Sequence, residues 1–202
     1  MTRSSGTPRR ARPRQQRSIA MRERLLTEAV RLLARTPGSL PTTQQLADKA
    51  HVSIGTVYRY FESIDSVVDE LRSHAIRDIT TDLATGVGTA LGQEPMDAMV
   101  TVVETLTSSF ERHQPILSVT FTAGDEGQLW PEVEGPLVPL ARVLPARLRP
   151  DLLDRELDDL VFLTMGATAS LCLRIALFRE PDADRDALVA AAARMLLAAF
   201  AT

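Results

Sequence analysis

The sequence has few of the residues from which cross-links, metal sites and catalytic centres are built. Cys172 is the only cysteine, so an intramolecular disulfide is excluded, and the adjacent Leu171 and Leu173 indicate a buried thiol rather than a redox switch. The three histidines, His51, His74 and His113, are far apart in the sequence. We therefore expect no metal ion, no cofactor and no enzymatic activity.

Long apolar segments and alternating patterns are also missing. No apolar run reaches the length that a membrane span needs, and arginines dominate the N-terminal residues where a signal peptide would be apolar. No stretch of convincing length alternates apolar and polar residues as a strand does. The 202 residues, 45% of them hydrophobic, are enough to bury a substantial core. These features predict a soluble, cytoplasmic, all-α protein with no membrane partner.

The charged residues are divided unevenly along the chain. Residues 1–60 contain twelve Lys or Arg and three Asp or Glu, a net charge of +9, whereas residues 61–202 contain eleven and twenty-three, a net charge of −12. The overall charge of −3 and the isoelectric point of 5.7 conceal this division. Because a basic domain attracts polyanions, the separation of charge indicates a nucleic acid as the partner of the N-terminal part.

Residues 42–61, TTQQLADKAHVSIGTVYRYF, have the pattern of two short helices joined by a tight corner. Thr42 is suited to cap the first helix, and Gln45 three residues later completes a capping box. His51 lies at the corner, and Ser53 is suited to cap the second helix. The inward residues at helical spacing are Leu46, Ala47, Ala50, Val57 and Phe61. The segment is therefore predicted to be a helix-turn-helix.

The outward side of the second helix is chemically suited to duplex DNA. Arg59 can donate to a guanine edge or a phosphate, the tyrosine and threonine hydroxyls can bond to phosphate oxygens, and Gly55 permits close approach of the backbone. The residues predicted on this outward side are Ile54, Gly55, Thr56, Tyr58, Arg59 and Tyr60. The alternative is that the two tyrosine rings only cover a core.

The chain divides into three predicted parts. Residues 1–17 carry six arginines and no acidic residue, so we expect a flexible basic arm that either contacts DNA or only keeps the protein soluble. Residues 18–63 form a DNA-binding head of three helices, in which a helix over residues 18–35 braces the helix-turn-helix. Residues 64–202 form an acidic helical body.

The body is predicted to consist of helices joined by loops. A helix over residues 64–83 links it to the head, and Gly86, Gly88 and Gly92 then indicate a loop rather than a phosphate-binding turn, because no strand precedes them. Apolar periodicity predicts further helices over residues 95–112, 115–122, 133–148, 152–178 and 182–201, the third of these interrupted near Pro136 and Pro139.

The last two predicted helices are apolar over more than one stripe, so a single core cannot cover all of their surface. We expect part of that surface to be buried in a homodimer. The small residues that would permit close helix approach there are Ala191, Ala192, Ala193, Ala198 and Ala199. A helical bundle closed within one chain is the alternative.

These motifs resemble the TetR family of bacterial transcriptional regulators. The stretch LADKAHVSIGTVYRYF matches the family pattern of LA, VS, GT-Tyr and Tyr-Phe in register, and the length and helical body are similar to that family. The resemblance implies that Thr43 and Gln44 also meet DNA and that Ser53 belongs to the DNA-facing surface. Two positions depart from the pattern: His51 stands where glycine is usual, and Ile64 stands where a phosphate-binding lysine is frequent.

The resemblance also implies a ligand-responsive mechanism. A small, mainly apolar effector binds in the body, the linking helix shifts, and the recognition helices of the dimer no longer match successive major grooves of operator DNA, about 34 Å apart. The expected function is repression; the alternatives are an activator of the same fold and a protein-interaction module that no longer reads DNA. The predicted pocket residues are Met99, Phe110, His113, Thr120, Phe121, Trp130, Phe162 and Met165, for each of which plain core is the alternative.

Overall fold

The computed structural model describes residues 11–122 and 135–201, and every regular element within these ranges is an α-helix. The described residues form, in chain order, α1 (Ala11–Leu33), α2 (Thr43–Lys49), α3 (Ile54–Tyr58), α4 (Ile64–Ala90), α5 (Pro95–Arg112), α6 (Gln114–Thr122), α7 (Val138–Ala141), α8 (Val143–Leu148), α9 (Asp154–Phe178) and α10 (Arg185–Ala198). The chain separates into two compact units, Met1–Leu71 and Arg72–Thr202, and α4 begins in the first and ends in the second.

The short helices of the first unit are set by the predicted caps. The Thr42 hydroxyl oxygen accepts the Gln45 N–H at 3.1 Å, and the Gln45 Oε1 accepts the Thr42 N–H at 2.7 Å, which is the reciprocal capping box. Ser53 Oγ accepts the Thr56 N–H at 3.2 Å and starts α3. His51 has a φ of 52°, so the corner takes the left-handed backbone predicted for this position. The apolar side chains buried around these elements include Leu25, Leu33, Leu46, Ala47, Val57 and Phe61.

The first helix differs from its predicted form. It begins at Ala11 rather than at residue 18, so residues 11–17 of the expected flexible arm are helical; the preceding residues 1–10 lie outside the described part of the chain. Pro13 is compatible with this start because it occupies the first turn, where its missing N–H has no partner to lose. Ile19 and Val30 of this helix are exposed, and Leu25 is fully buried.

The second unit is built around α5, α9 and α10, which pack against one another. Val103, Cys172 and Ala193 are fully buried at the centre of this bundle. Arg185 at the start of α10 donates to Glu104 at 2.7 Å and to Glu111 at 3.1 Å, both on α5. Because α10 lies close to α5, Ala192 and Ala193 are buried within the chain, whereas Ala198 and Ala199 are exposed. Part of the alanine-rich face of α10 is therefore buried in the core of the same chain.

The loop predicted at the glycines after residue 83 is wrong, because α4 continues to Ala90 and contains both Gly86 and Gly88. The reason is helix packing. A Cβ at position 86 would lie 2.6 Å from Thr105 Oγ1 on α5, closer than real contacts permit, so glycine allows the two helices to approach. Gly92 alone of the three follows the helix.

The remaining helices lie close to their predicted positions. The bounds of α5 agree with the prediction at both ends, and α6, α9 and α10 differ from theirs by one to three residues. In place of one interrupted helix over residues 133–148, the structure has the two short helices α7 and α8, with Pro139 in the first turn of α7, where proline is favoured. Residues 123–134, including Trp130, lie outside the described residues.

The long helix α9 contradicts the prediction that no apolar segment of this chain reaches the length of a membrane span. By length and composition, α9 is the one helix of the described residues that is apolar enough to cross a membrane. One side of α9 packs on α5 and α10 through Cys172, Leu173 and Ile175. The other side leaves Phe162 and Leu163 exposed to solvent.

Candidate nucleic-acid interface

The outward side of the helix-turn-helix is formed by α3 and the start of α2. Ser53, Ile54, Gly55 and Arg59 are exposed, and Tyr58 retains 54% of its exposure. Of the other predicted contacts, Gln44 is exposed, and Thr43, Thr56 and Tyr60 are half-buried. The inward side is Val57, which is buried. The ring of Tyr58 therefore does not cover a core. The alternative that both tyrosine rings only cover a core is wrong for Tyr58.

Hydrogen bonds order several of these side chains. The Ser53 hydroxyl caps α3 and lies 2.9 Å from the Thr56 hydroxyl, so these two groups support each other at the start of the helix. The Gln44 amide donates to Asp48 Oδ1 at 2.7 Å along the outer side of α2. Such local bonds reduce the side-chain entropy that a ligand would otherwise have to remove.

Arg59 and Tyr60 form a pair at the end of α3. Arg59 Nη2 donates to the Tyr60 hydroxyl at 3.2 Å, and Arg59 Cζ lies 5.2 Å from the centre of the Tyr60 ring. The hydrogen bond from Arg59, followed by one involving Ser18, lowers the pKa of Tyr60. The arrangement presents a stacked guanidinium and a hydroxyl at the surface, both suited to phosphate or base edges.

Arg22 of α1 contacts the backbone of Tyr60 in this pair. No pattern in the sequence pointed to this residue. Arg22 Nη1 donates to the Tyr60 carbonyl oxygen at 3.4 Å, and its Nε donates to Glu70 Oε1 at 2.8 Å. Its Cζ lies 4.7 Å from the centre of the Phe61 ring. Residues 22 and 70 are 48 positions apart, so no local spacing in the sequence could have paired them.

The start of α4 lacks the lysine that the family pattern often has. Ile64 is half-buried at the first position of the helix. The capping there is supplied by serines: the Ser66 N–H donates to Ser63 Oγ at 3.2 Å, and the Ser63 N–H donates to Ser66 Oγ at 3.2 Å. The loss of a phosphate contact at Ile64 therefore stays a prediction.

The second unit contains two adjacent apolar cavities. The larger cavity has a volume of about 80 Å³ and is lined by residues of α4, α5, α7, α8, α9 and α10, including Leu83, Val87, Met99, Leu106, Leu144 and Thr164. The smaller cavity has a volume of about 40 Å³ and is lined by residues including Ile76, Ile79, Ile116, Thr120 and Phe121. Phe110, Leu137, Met165 and Ala169 line both.

The predicted pocket residues are only partly brought together. Met99, Phe110, Thr120, Phe121 and Met165 line the cavities. The prediction for Phe162 is wrong, since its side chain is 73% exposed: it follows the buried Val161 and so points about 100° away from the inward stripe.

His113 is also not a lining residue of either cavity, because it lies in a separate open cleft with Asp78, Asp82 and Arg112. The aliphatic side chains of α4, α7 and α8 that line the larger cavity are not among the predicted pocket residues. The prediction rested on large aromatic and methionine side chains.

Metal-binding geometry is not found in the described ranges. No group of three or more His, Cys, Asp or Glu side chains there is arranged to hold a metal ion. Cys172 is buried, and its Sγ donates to the Val103 carbonyl oxygen at 3.7 Å. Burial raises the pKa of this thiol to about 12, so it is a poor nucleophile near neutral pH.

Comparison with known sequences places the head in a family. Residues 25–71 match the family described as bacterial regulatory proteins, tetR family. The match runs from the second half of α1 to the second turn of α4 and so contains the whole helix-turn-helix. No curated protein matches the sequence.

Several solved structures share the fold over most of the chain. The TetR family transcriptional regulator PfmR from Thermus thermophilus has a TM-score of 0.59 at 18% identity, covering 87% of this chain and 97% of that one. A TetR-like transcriptional regulator from Rhodococcus sp. RHA1 has a TM-score of 0.58 at 16% identity, covering 89% and 93%. Thermus thermophilus FadR, a TetR family repressor in complex with lauroyl-CoA, has a TM-score of 0.53 at 22% identity, covering 87% and 93%.

Residues 1–60, with a net charge of +9 and an exposed recognition helix, are joined to an all-helical body, which is the architecture of a helix-turn-helix DNA-binding regulator. With the family match over residues 25–71, these residues are a DNA-binding head of the TetR family, as the motif in residues 42–61 predicted, and the chain shares its fold with TetR-family regulators. Regulators of this family bind DNA and are not enzymes.

Proposed function

We propose that the protein is a cytoplasmic, homodimeric repressor that binds double-stranded operator DNA and releases it when a small, mainly apolar effector binds in the helical body. The observation that carries the DNA-binding part is the exposed surface of Tyr58 and Arg59 at the end of α3, within residues 1–60, whose net charge is +9. The observation that carries the effector part is the pair of apolar cavities beside α4.

The proposed contacts to DNA follow the outward side of α2 and α3. Arg59 and Tyr58 are exposed and supply a guanidinium and a hydroxyl for base edges and phosphates. Gly55 carries no side chain and lets α3 approach the groove. The full proposed set is Thr43, Gln44, Ser53, Ile54, Gly55, Thr56, Tyr58, Arg59 and Tyr60.

The exposed apolar side of α9 and α10 supports the homodimer. Phe178 of α9 and Met195 of α10 line one open cleft, and both are at least 64% exposed. Phe162 and Leu163 on α9 are also at least 67% exposed, and large exposed apolar groups in this number mark an interaction surface. Burial of this side against a second copy would remove it from solvent. An Ala198→Glu substitution, at an exposed position of α10, is expected to split the dimer in light scattering.

The matched control is Ala84→Glu, because Ala84 is exposed on α4. It is expected to leave the mass unchanged. An unchanged dimer mass for Ala198→Glu would count against this interface.

The effector would act through α4. Leu83 and Val87 line the larger cavity and Ile79 lines the smaller one, so a bound molecule contacts α4 in the body. The same helix begins at Ile64 in the head. A ligand that binds the released form more tightly than the DNA-competent form weakens DNA binding by that difference, and DNA weakens ligand binding equally. The structural neighbour described in complex with lauroyl-CoA supports an effector of this kind.

The test of the proposed function is binding to the DNA upstream of the protein's own gene. Fluorescence anisotropy is expected to give an affinity for this duplex at least about a thousandfold above that for random DNA of equal length. The affinity is expected to fall steeply between about 50 and 200 mM salt, as phosphate contacts require. If neither this duplex nor a genomic fragment library binds at low salt, the protein-interaction alternative replaces the proposal.

A further inference from the structure

We propose that α9 pairs with α9 of a second copy of the chain in antiparallel orientation, about a two-fold axis that passes between Gly166 and Ala167. In this pairing Asp159 of each copy forms an ion pair with the partner's Arg174. The inference rests on the homodimer of the proposed function. It adds the register of the two helices and the charged pair that fixes this register.

The outward side of α9 forms a continuous stripe along the helix. Between positions 159 and 174 its members recur every three or four positions, so they lie on one side. All of them are exposed except Gly166, which is half-buried: Asp159, Phe162, Leu163, Gly166, Ala167, Ser170 and Arg174. Phe162 and Leu163 are large apolar side chains in contact with solvent. Such groups on one helix side indicate a surface that a partner covers.

The two charged members of the stripe are not paired within the chain. The side chains of Asp159 and Arg174 form no ion pair or hydrogen bond with any residue in the ranges 11–122 and 135–201. The adjacent Asp158, in contrast, is paired with Arg142. Asp159 and Arg174 lie at opposite ends of the stripe, roughly 22 Å apart along the helix. They can therefore meet each other only across two copies of the chain.

A two-fold axis perpendicular to α9 makes the two helices antiparallel and brings residues at equal distances from the axis opposite each other. Asp159 is seven positions before Gly166, and Arg174 is seven positions after Ala167. An axis between these two small residues therefore places each aspartate opposite an arginine, and the symmetry forms the pair twice.

Other positions of the axis leave these charges unmatched. A shift of the axis by two positions in either direction would place Asp159 opposite Ser170 or Phe178 of the other copy. Neither of these residues neutralises a carboxylate. Because complementary charges fix the register of an interface, the axis between positions 166 and 167 is favoured over its neighbours.

Gly166 is suited to the crossing point of two helices. A Cβ at this position would meet no atom within 4 Å, so no contact within the described part of the chain requires glycine there. Glycine inside a helix lowers helix stability relative to alanine, so close approach of a second copy gives it a reason. At a shallow crossing of about 20°, helices that touch at this point stay close over the two turns that lead to the charged residues.

The same axis covers Phe162. This residue lies four positions before Gly166, and Leu171 lies four positions after Ala167, so the two face each other across the axis. The Phe162 side chain is 73% exposed in the single chain. Contact with the partner's Leu171 removes its ring from water, which stabilises the dimer.

Reversal of the two charges tests the register. Asp159→Arg alone brings like positive charges together, and Arg174→Asp alone brings like negative charges together, twice in each dimer. Each single variant is expected to raise the dissociation constant of the dimer at least about thirtyfold in analytical ultracentrifugation at about 50 mM salt. The double variant restores the ion pair and is expected to return to within about fivefold of the wild type. A double variant no tighter than the single ones would overturn the proposal.

A mixture of the two single variants gives a second measurement. In a heterodimer of Asp159→Arg with Arg174→Asp, one pair joins the two introduced charges and the other joins the two native ones, so both pairs attract. Native mass spectrometry of an equimolar mixture is expected to show far more heterodimer than random pairing gives. A heterodimer share equal to that of random pairing, or a mixture that stays monomeric, would contradict the register.

The matched controls are Arg77→Asp and Asp97→Arg, which reverse the same charges at exposed positions of α4 and α5. Both are expected to leave the dissociation constant within about threefold of the wild type. If the reversed charges prevent folding, Asp159→Asn and Arg174→Gln take their place. Because these two remove the same pair, their combined effect is expected to be smaller than the product of the single effects. Independent effects would overturn the pairing.

The mass of the wild-type protein separates this inference from the proposed function. A monomeric wild type overturns both the homodimer and the register. A wild-type dimer that Ala198→Glu splits, but that neither charge reversal weakens, keeps the homodimer and overturns the register alone.

Discussion

The guanidinium of Arg22 on α1 and the carboxylate of Glu70 on α4 form a bidentate ion pair. Arg22 Nε donates to Glu70 Oε1 at 2.8 Å, and Arg22 Nη2 donates to Glu70 Oε2. The same guanidinium stacks on Phe61 and donates to the Tyr60 carbonyl oxygen. One side chain thus joins α1, the end of the recognition segment and the start of α4. The hydrogen bond to Glu70 raises the pKa of Arg22, so the guanidinium keeps its charge.

Replacement of Arg22 by Gln is expected to destabilise the protein by about 1 kcal/mol, because it removes the ion pair and the stacking on Phe61. The loss of stability is small because the Arg22 side chain is 44% exposed and solvent screens the ion pair. Operator affinity is expected to fall as well, since the Tyr60 carbonyl loses its donor. Urea unfolding and anisotropy measure the two effects.

The control for that substitution is Arg24→Gln, which removes a charge from an exposed position of the same helix. It is expected to change stability by less than about 0.5 kcal/mol. Equal effects of the Arg22 and Arg24 substitutions on stability and on affinity would show that the contacts of Arg22 are unimportant.

Replacement of Arg59 by Ala is expected to weaken operator binding by about 1 to 3 kcal/mol, because an exposed guanidinium at this position can make a bidentate contact with a base or phosphate. The fold is expected to be unaffected, because the side chain lies at the surface. Anisotropy at several salt concentrations separates the two roles: loss of a phosphate contact reduces the salt slope by about one, whereas loss of a base contact lowers specificity.

Arg155→Ala is the matched control for Arg59, since Arg155 is exposed on α9 in the body. It removes the same charge and is expected to leave operator affinity within about a factor of two, since isolated surface charges act weakly at physiological salt. If the Arg155 variant lost as much affinity as the Arg59 variant, net charge rather than the α3 surface would explain binding.

Gly86 and Gly88 provide a matched pair on α4. A Cβ at Gly86 would lie 2.6 Å from Thr105 Oγ1 and 2.9 Å from Thr105 Cγ2, whereas a Cβ at Gly88 would meet no atom within 4 Å. Gly86→Ala is therefore expected to lower the free energy of unfolding by about 1 to 3 kcal/mol through overpacking. Gly88→Ala is expected to raise it by about 0.5 to 1 kcal/mol, because alanine is the better helix former.

Thermal unfolding of the two glycine variants measures the difference, and the double variant Gly86→Ala with Thr105→Ala checks its cause. Removal of Thr105 Oγ1 and Cγ2 is expected to restore much of the lost stability. An equal gain in stability from both glycine variants would mean that α4 and α5 do not approach closely at this point.

The sequence predicted the elements whose signals are local. The capping box of Thr42 and Gln45, the left-handed backbone at His51 and the bounds of α5 all follow from residues within a few positions of each other. The start of α1 was missed because its first turns are polar and arginine-rich, so they carry no apolar period. Propensity alone supported a helix there.

The features that depend on distant residues could not be predicted. Glycine in a sequence indicates a turn or a close contact between helices equally well. At Gly86 the nearby Thr105 on α5 shows that the reason is a close helix contact. The pairing of Arg22 with Glu70 has no local signal. Phe162 was assigned to the pocket by its size, but exposure depends on which side of α9 meets α5 and α10.

His113 lies at the end of α5, and its Nε2 is 3.5 Å from Asp78 Oδ2 on α4. Burial lowers the pKa of His113 below its ordinary value of 6.5; Asp78 and Asp82 oppose this effect, and Arg112 adds to it. In the unfolded chain the imidazole binds a proton near pH 6.5, whereas the folded protein resists it. Stability is therefore expected to fall as the pH drops from about 6.5 towards the lower folded pKa.

Two substitutions test this pH dependence in thermal unfolding at about pH 7.5 and about pH 5.5, on either side of the ordinary histidine pKa. His113→Gln removes the titrating group, so the loss of stability between the two pH values is expected to be smaller than in the wild type. Asp78→Asn removes the charge that favours the protonated imidazole, so the loss is expected to be larger. The two changes have opposite signs, and the titrating groups that neither substitution alters contribute to wild type and variants alike. A pH dependence unchanged in His113→Gln, or weakened in Asp78→Asn, would contradict the assignment of this effect to His113.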